Sequence, residues 1–212
     1  MPRPTTRVSS RKQPRQARST ELVSAVLDAA VQVLAAEGAA RFTTARVAER
    51  AGVSVGSLYQ YFPNKASILF RLQSDEWRRT TDLLRGILED RRVAPLDRLR
   101  TLVHAFIRSE CEEAQIRGAL NDAAPLYRDA PEAIEVHAAS ADIFRAFTRE
   151  VLPDLAEEAR SRTSDLVKTT LSEVGGSFSS VSRTPAEIES YAAALADMLC
   201  AYLERLMTRD RL

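Results

Sequence analysis

The chain has 212 residues, of which 45% are apolar and 28% are charged, and this is enough for one or two domains with a sizeable core. Its 30 Lys and Arg residues against 29 Asp and Glu residues give a net charge of +1, which excludes a uniformly basic or acidic binding protein. The two cysteines, Cys111 and Cys200, could form one disulfide, but they exclude a disulfide framework, and a reducing compartment is favoured. No apolar run approaches ~20 residues, and no secretory signal is recognisable, so we expect a cytoplasmic protein without a membrane partner.

Charge is sorted along the chain. Residues 1–18 contain six basic residues and no acid, residues 19–65 are neutral, and residues 66–212 carry a net charge of −5. The first segment has almost nothing apolar to bury, so we predict that residues 1–18 form a disordered basic arm. Such an arm either lies along the phosphates or in a minor groove of DNA, or serves only as a solubilising tail, and both interpretations stay open.

The composition, with seven glycines among many Ala, Leu, Arg and Glu residues, indicates an all-α protein. Apolar residues at helical spacing predict helices at about residues 20–38, 44–51, 54–61, 65–92, 95–107, 114–123, 131–153, 162–174 and 185–207. Gly175 and Gly176 predict a flexible break or loop after residue 174. Thr184, Pro185 and Glu187 have the spacing of a capping box, which predicts the start of the last helix.

Residues 43–65 have the pattern of a helix, a tight turn and a second helix. Val47 is predicted to face inward from the first helix, Gly52 to supply a turn with positive φ, and Leu58 to hold the second helix from beneath. The exposed face of the second helix then consists of small or flat side chains with polar tips: Ser54, Val55, Gly56, Ser57, Tyr59 and Gln60. A face of this kind suits a helix that enters the major groove of DNA, because bulk would prevent the approach.

These residues also carry a family resemblance. The motif that begins at Gly52-Val53-Ser54 continues with Gly56, Leu58-Tyr59, Tyr61-Phe62 and Lys65, and it is preceded by Thr43 and Val47-Ala48. In this order and spacing it resembles the N-terminal DNA-binding domain of the TetR family of bacterial transcriptional regulators. The resemblance implies a three-helix helix-turn-helix DNA-binding domain over residues 19–65 and a C-terminal helical ligand-binding and dimerisation domain over residues 66–212.

The resemblance implies a role for each matching residue. Thr43 and Thr44 would start the first motif helix and hold a phosphate there, and Ser54 would cap the second helix or touch a phosphate. Base edges would be met by Val55, Gly56 and Ser57. Phosphates would be hydrogen-bonded by Tyr59 and Tyr61 and paired with Lys65. For the two tyrosines, ordinary packing in a small domain is the alternative.

The recognition face is poor in strong base readers, since no Arg, Lys or Asn lies between residues 54 and 60. Gln60, Ser57 and the Val55 methyl groups offer modest discrimination between bases, and Arg46 is the best long donor for a guanine edge unless it is a solvated surface charge. We therefore hypothesise that affinity depends on phosphate contacts and on the arm. Deletion of residues 1–18 should weaken binding and flatten its salt dependence.

Recognition of a palindromic operator needs two reading helices about 34–36 Å apart, which implies a symmetric homodimer. The helices near 162–174 and 185–207 are the candidates for its interface, because the second has a wide apolar face and several alanines that permit close approach. The resemblance implies the same two helices, which would form a four-helix interface. Burial of this face within its own domain is the alternative.

The middle helices are predicted to enclose a pocket for a small-molecule effector. The candidate lining residues are Trp77, Phe106, Cys111, Tyr127, His137, Phe144 and Phe147, each of which also suits an ordinary core position. The resemblance implies that effector binding shifts the long fourth helix and releases the operator, and that the protein is a repressor.

No enzyme motif, cofactor site or metal site is recognisable, since the chain lacks G-x-S-x-G, Walker-type and G-x-G-x-x-G sequences. His104 and His137 are far apart and the cysteines are isolated, which disfavours a metal site. The alternative function is a helical dimeric adaptor or small-molecule-binding protein with a vestigial DNA-binding motif. Such a protein would have no physical need for the arm together with Tyr59, Tyr61 and Lys65.

Overall fold

The computed structural model describes residues 17–127 and 130–209, with side chains at all of these except residues 17, 18, 132–139 and 209. This part of the chain is helical and without strands, which confirms the predicted all-α fold. Its α-helices are α1 (Ala17–Arg41), α2 (Thr44–Arg50), α3 (Val55–Tyr61), α4 (Lys65–Leu88), α5 (Pro95–Glu112), α6 (Ala114–Ala123), α7 (Pro131–Val151), α8 (Glu157–Ser179) and α9 (Pro185–Arg209). A 3₁₀ turn, Ala124–Leu126, follows α6.

Helix α1 begins at Ala17, so the last two residues of the predicted arm belong to it and residues 1–16 lie outside the described residues. Its regular part ends at Gly38, which has a φ of 71° as expected for a glycine at a helix end. Residues Ser19–Arg41 form a helix that is long and apolar enough to cross a membrane, by length and composition alone. Val26 and Val33 of this helix are instead fully buried in a core shared with α2, α3 and α4.

Two compact units are formed by the described residues. The first joins residues up to Arg78 with those of Gln115–Val136, and the second joins Arg79–Ala114 with the residues from His137 onward. In the first unit, Gln115 of α6 donates a hydrogen bond to the carbonyl of Ala35 in α1, at 2.9 Å. This grouping differs from the linear boundary at residue 65 because residues 66–78 and 115–136 pack with the N-terminal helices. The boundaries predicted for function, at residues 18 and 65, stay predictions.

The second unit is built from α5, α8, α9 and parts of α4 and α7 around a core that includes Leu99, Val103 and Leu203. The side chain of Arg98 is buried in this core. It donates a hydrogen bond to the Leu88 carbonyl at the end of α4 and forms an ion pair with Glu150 of α7. Helix α4 therefore ends at Leu88, a few residues before the end predicted near residue 92.

The last helix starts where the capping box predicts. The backbone N–H of Thr184 donates to Glu187 Oε2 at 2.8 Å, and the Glu187 N–H donates to Thr184 Oγ1 at 3.3 Å. These reciprocal bonds satisfy two backbone donors that the helix itself cannot pair.

The predicted loop at Gly175 and Gly176 is wrong, because both residues lie inside α8, which runs from Glu157 to Ser179. A Cβ atom on Gly175 would stand 2.9 Å from Phe106 Cε1 and 3.4 Å from Ile107 Cδ1. Glycine is thus needed here for close approach of α8 to α5 and not for a turn. A Cβ atom on Gly176 would meet nothing within 4 Å.

This difference predicts opposite effects of the same substitution at adjacent positions. We expect Gly175→Ala to lower the free energy of unfolding by about 1–3 kcal/mol, because the Phe106 ring, 2.9 Å from the added Cβ atom, must shift. We expect Gly176→Ala to leave it unchanged or to raise it by up to about 1 kcal/mol, because alanine is the better helix former. Urea denaturation of both variants at one protein concentration measures the two effects, and equal destabilisation would refute the close-packing explanation.

Candidate nucleic-acid interface

Helices α2 and α3 form the predicted helix-turn-helix. Val47 and Ala48 of α2 and Leu58 of α3 are buried, and Gly52 between the helices has a φ of 67°. The opposite side of α3 is open, with Ser54, Val55, Gly56, Tyr59 and Gln60 exposed and Ser57 partly exposed. The face predicted from the sequence is therefore the exposed face of this helix.

Side-chain hydroxyl groups fix the beginning of each motif helix. Thr43 Oγ1 accepts a hydrogen bond from the Arg46 N–H at 3.3 Å, and Ser54 Oγ accepts one from the Ser57 N–H at 3.0 Å. The hydroxyls of Ser54 and Ser57 are also 2.8 Å apart. Both caps have the geometry preferred at helix N-termini, so these residues define where α2 and α3 start.

One hydrogen bond joins the two motif helices at their exposed edge. The hydroxyl oxygens of Thr44 in α2 and Tyr59 in α3 are 3.0 Å apart, and both side chains are accessible to solvent. Two residues that the resemblance assigns separately to phosphate contact are thus adjacent, and each hydroxyl has a further donor or acceptor position available.

Arg46 is engaged within the protein. Its guanidinium group donates to the carboxylate of Glu37 and, at 2.9 Å, to the carbonyl of Arg41. These bonds connect α2 to the end of α1, and in this arrangement the side chain positions α2. Its predicted contact with a guanine edge, which would require these bonds to be exchanged, stays a prediction.

The remaining predicted contacts lie at the junction of α3 and α4. Tyr61 is partly buried against the core, and Lys65 is exposed at the first position of α4. Asn64, which sequence reasoning missed, caps α4 by accepting the Ser67 N–H at 2.8 Å with its Oδ1 atom. The spacing of asparagine and serine at positions 64 and 67 is the signal that could have identified this cap, which positions Lys65.

The predicted effector residues are distributed over two cores. Trp77 and Tyr127 belong to the first unit, whereas Phe106, Cys111, Phe144 and Phe147 belong to the second. The side chain of His137 lies outside the described residues. The prediction that all seven line one pocket stays a prediction.

Tyr127 takes part in a buried polar network of the first unit. Its hydroxyl donates to the Leu120 carbonyl at 3.0 Å and lies 3.3 Å from Gln73 Oε1, while Gln73 Nε2 donates to Glu76 at 3.1 Å. Arg117 of α6 pairs with the other oxygen of Glu76 at 2.8 Å. Burial, with a smaller contribution from Glu76, raises the pKa of Tyr127, so the phenol stays protonated and available as a donor. The thiol of Cys111, in the second unit, is not activated. Burial raises the pKa of this thiol, which favours the protonated form over the nucleophilic thiolate.

Two family profiles match the chain. The profile described as bacterial regulatory proteins, tetR family, matches residues 26–72, which contain the helix-turn-helix. The profile described as tetracyclin repressor-like, C-terminal domain, matches residues 94–206, which is more than half of the chain.

A curated relative matches part of the chain. The nucleoid occlusion factor SlmA of Vibrio campbellii is 35% identical over 83 residues, which are 39% of this chain and 42% of that protein. The aligned region is therefore about two fifths of the relative's length, and it does not carry that protein's function to this chain.

Solved structures share the fold at low sequence identity. The fatty acid degradation regulator FadR from Bacillus halodurans has a TM-score of 0.64 and 20% identity, with 90% of this chain and 96% of that chain covered. A tetR-family regulator from Rhodococcus RHA1 has a TM-score of 0.66, 16% identity and coverage of 88% and 96%. The ketosteroid regulator KstR2 of Mycobacterium tuberculosis has a TM-score of 0.59, 20% identity and coverage of 92% and 97%.

A helix-turn-helix with an open reading face, followed by a helical second domain, defines a DNA-binding transcriptional regulator. The matched profiles are more specific, and the chain belongs to the TetR family of bacterial transcriptional regulators. This family consists of soluble DNA-binding proteins rather than enzymes, and its members are typically ligand-binding homodimers.

Proposed function

We propose that this protein is a cytoplasmic repressor that binds a palindromic operator as a homodimer and releases it when a small-molecule effector binds. The observation that carries the proposal is the exposed face of α3, on which small side chains surround a glycine while Leu58 behind them is fully buried. A helix with such a face can come close to base edges, because the side chains on either side of Gly56, Val55 and Ser57, are short.

Base reading is assigned to Val55, Gly56, Ser57 and Gln60, and phosphate contact to residues around them. The adjacent hydroxyls of Thr44 and Tyr59 support one phosphate site shared by α2 and α3. The exposed ammonium group of Lys65 supports a second site at the start of α4. Thr43, Ser54 and Tyr61 act beside them, the first two mainly by capping and Tyr61 through its partly exposed ring.

Dimerisation is assigned to α8 and α9, each more than twenty residues long. Leu166 on α8 is 50% exposed and Met198 on α9 is 53% exposed, which is a large exposed fraction for apolar side chains on two consecutive helices. Pairing with a second copy would bury them and form a four-helix interface.

The effector is assigned to the middle segment of the chain, from α4 to α7, which carries the predicted pocket residues. Operator and effector would then oppose each other through a coupling free energy between two states of the dimer. The family's typical ligand binding supports this assignment.

Selection of random duplex DNA by the purified full-length protein at near-physiological salt tests the proposal. We expect enrichment of a palindrome whose half-sites are centred about one helical turn, or a multiple of it, apart. No enrichment by a folded dimer free of bound ligand would overturn the operator-binding role and favour a helical adaptor.

The basic arm gives a separate prediction on the salt dependence of binding. We expect replacement of its basic residues up to position 15 by glutamine to weaken binding about tenfold or more at low salt. The slope of log K against log salt concentration should fall by about 0.9 for each phosphate that the arm no longer neutralises. All of these substitutions precede α1, which begins at Ala17, so they change no residue of a described helix. An unchanged slope, measured by fluorescence anisotropy, would identify the arm as a solubilising tail.

A further inference from the structure

Helix α9 carries a straight exposed stripe on the side away from its buried residues. The stripe consists of Glu187, Tyr191, Ala194, Met198, Ala201 and Arg205, all of which are exposed. Their spacing alternates between four and three residues, which keeps them on one face of a helix. On another face of α9, Ala192, Ala196 and Leu203 are fully buried in the core of the second unit.

We propose that this stripe pairs with the same stripe of a second copy in antiparallel register, with a two-fold axis that passes between Ala194 and Met198. The inference rests on the proposed homodimer and adds the register and the pairs of residues that define it. A two-fold axis requires that the same surface patch complement itself, so each position has one defined opposite position.

The stripe satisfies this requirement in size and in charge. Three pairs of positions are centred on position 196, so a single register aligns all of them: 194 with 198, 191 with 201, and 187 with 205. Met198 lies opposite the partner's Ala194, and Tyr191 lies opposite the partner's Ala201, so that a large side chain meets a small one each time. At the ends, Glu187 lies opposite the partner's Arg205, which pairs an acid with a base.

The N-terminal half of the stripe borders an open groove of about 470 Å³. Ser190, Tyr191 and Ala194 line it, together with Phe178 from the end of α8. The rings of Phe178 and Tyr191 stack with centroids 3.8 Å apart, and the guanidinium of Arg183 lies 4.5 Å from the Phe178 centroid, so this wall is well supported. In the antiparallel register, the partner's Met198 reaches this groove beside Ala194 and fills part of it.

The charged ends of the stripe are compatible with this pairing. The capping bonds from Thr184 to Glu187 are made to Oε2. The Oε1 atom makes neither of these bonds and is the atom assigned to accept a guanidinium group of the partner's Arg205. The two symmetric ion pairs lie at the rim of the surface, where they fix the register more than they add affinity.

Exchange of the two central side chains tests the register. We expect Ala194→Met to speed subunit exchange at least tenfold, because methionine then opposes methionine at two symmetric positions. Met198→Ala should speed exchange about fivefold, because a gap replaces the methionine. The double variant A194M/M198A restores a methionine opposite an alanine, and its exchange rate should return to within about threefold of the unmodified protein. Mixing of two fluorescently labelled pools of full-length protein measures these rates by energy transfer.

Controls separate the register from other effects. Ala25→Met, at an exposed position of α1, should not change the exchange rate. Arg205→Glu sets like charges opposite each other, so it should speed subunit exchange most at low salt, and added salt should slow the exchange of this variant. Glu204→Lys on the same helix should lack that salt response.

Two outcomes would overturn the register. One is a double variant that exchanges as fast as the faster single variant, and the other is an Ala194→Met dimer that exchanges like the unmodified protein. In either case a palindrome-selecting dimer would leave the proposed function standing. A monomer at micromolar concentration that selects no palindrome would remove both.

Discussion

Replacement of Glu76 by glutamine should lower the free energy of unfolding by about 3 kcal/mol. The carboxylate is buried in the first unit, and its two oxygens accept from different donors: Oε1 from Arg117 at 2.8 Å and Oε2 from Gln73 at 3.1 Å. A glutamine has only one oxygen, so one of these donors would face an NH₂ group. The Arg117 guanidinium, of which 14% is exposed, would also lose the negative charge that compensates it.

A matched comparison on the same helix isolates the effect of burial. Arg85 and Asp82 form an exposed pair on α4 at 3.4 Å, so Asp82→Asn should change stability by less than about 0.5 kcal/mol. Replacement of both buried partners, E76L/R117M, should recover most of the loss, because an apolar pair carries no uncompensated charge. Urea denaturation at fixed protein concentration measures all three, and equal effects of the buried and exposed substitutions would contradict the assignment of this network as structural.

Contacts between residues far apart in sequence explain why the sequence does not reveal the division of the chain into two units. Arg117 and Glu76 are 41 positions apart, and Gln115 and Ala35 are 80 positions apart. No local pattern of apolar residues predicts these pairings, because each depends on how separate helices pack. For the same reason, Trp77 and Tyr127 could be identified as apolar or aromatic positions but not assigned to the first unit.

Local signals, by contrast, predict the helix-turn-helix in detail. Thr43 and Ser54 each cap a helix through a backbone N–H three residues later, and Gly52 supplies a conformation that other residues rarely adopt. These requirements are met within a few residues and are therefore readable from the sequence. Gly175 failed as a local signal because its glycine serves a contact with α5, and a contact between helices leaves no mark on neighbouring residues.

The largest effect on DNA binding is expected for Gly56→Leu. We expect it to weaken operator binding at least about 100-fold, or about 2.7 kcal/mol, in fluorescence anisotropy with the selected palindrome. Gly56 is exposed on α3, and a Cβ atom there would meet only Ser54 Oγ, at 3.8 Å, so the fold has room for leucine. The side chain would instead occupy the space into which the base edges must come, and it would separate Val55, Ser57 and Gln60 from them.

The control for this substitution is Gly86→Leu. Gly86 is also an exposed helical glycine with no atom within 4 Å of an added Cβ, but it lies on α4 outside the reading face. Both substitutions replace a poor helix former by a good one, so neither should reduce helix content or thermal stability. We expect Gly86→Leu to bind the operator like the unmodified protein. If Gly56→Leu bound equally well, α3 could not be the helix that approaches the bases, because a folded protein with leucine at position 56 cannot seat that face closely against the groove floor.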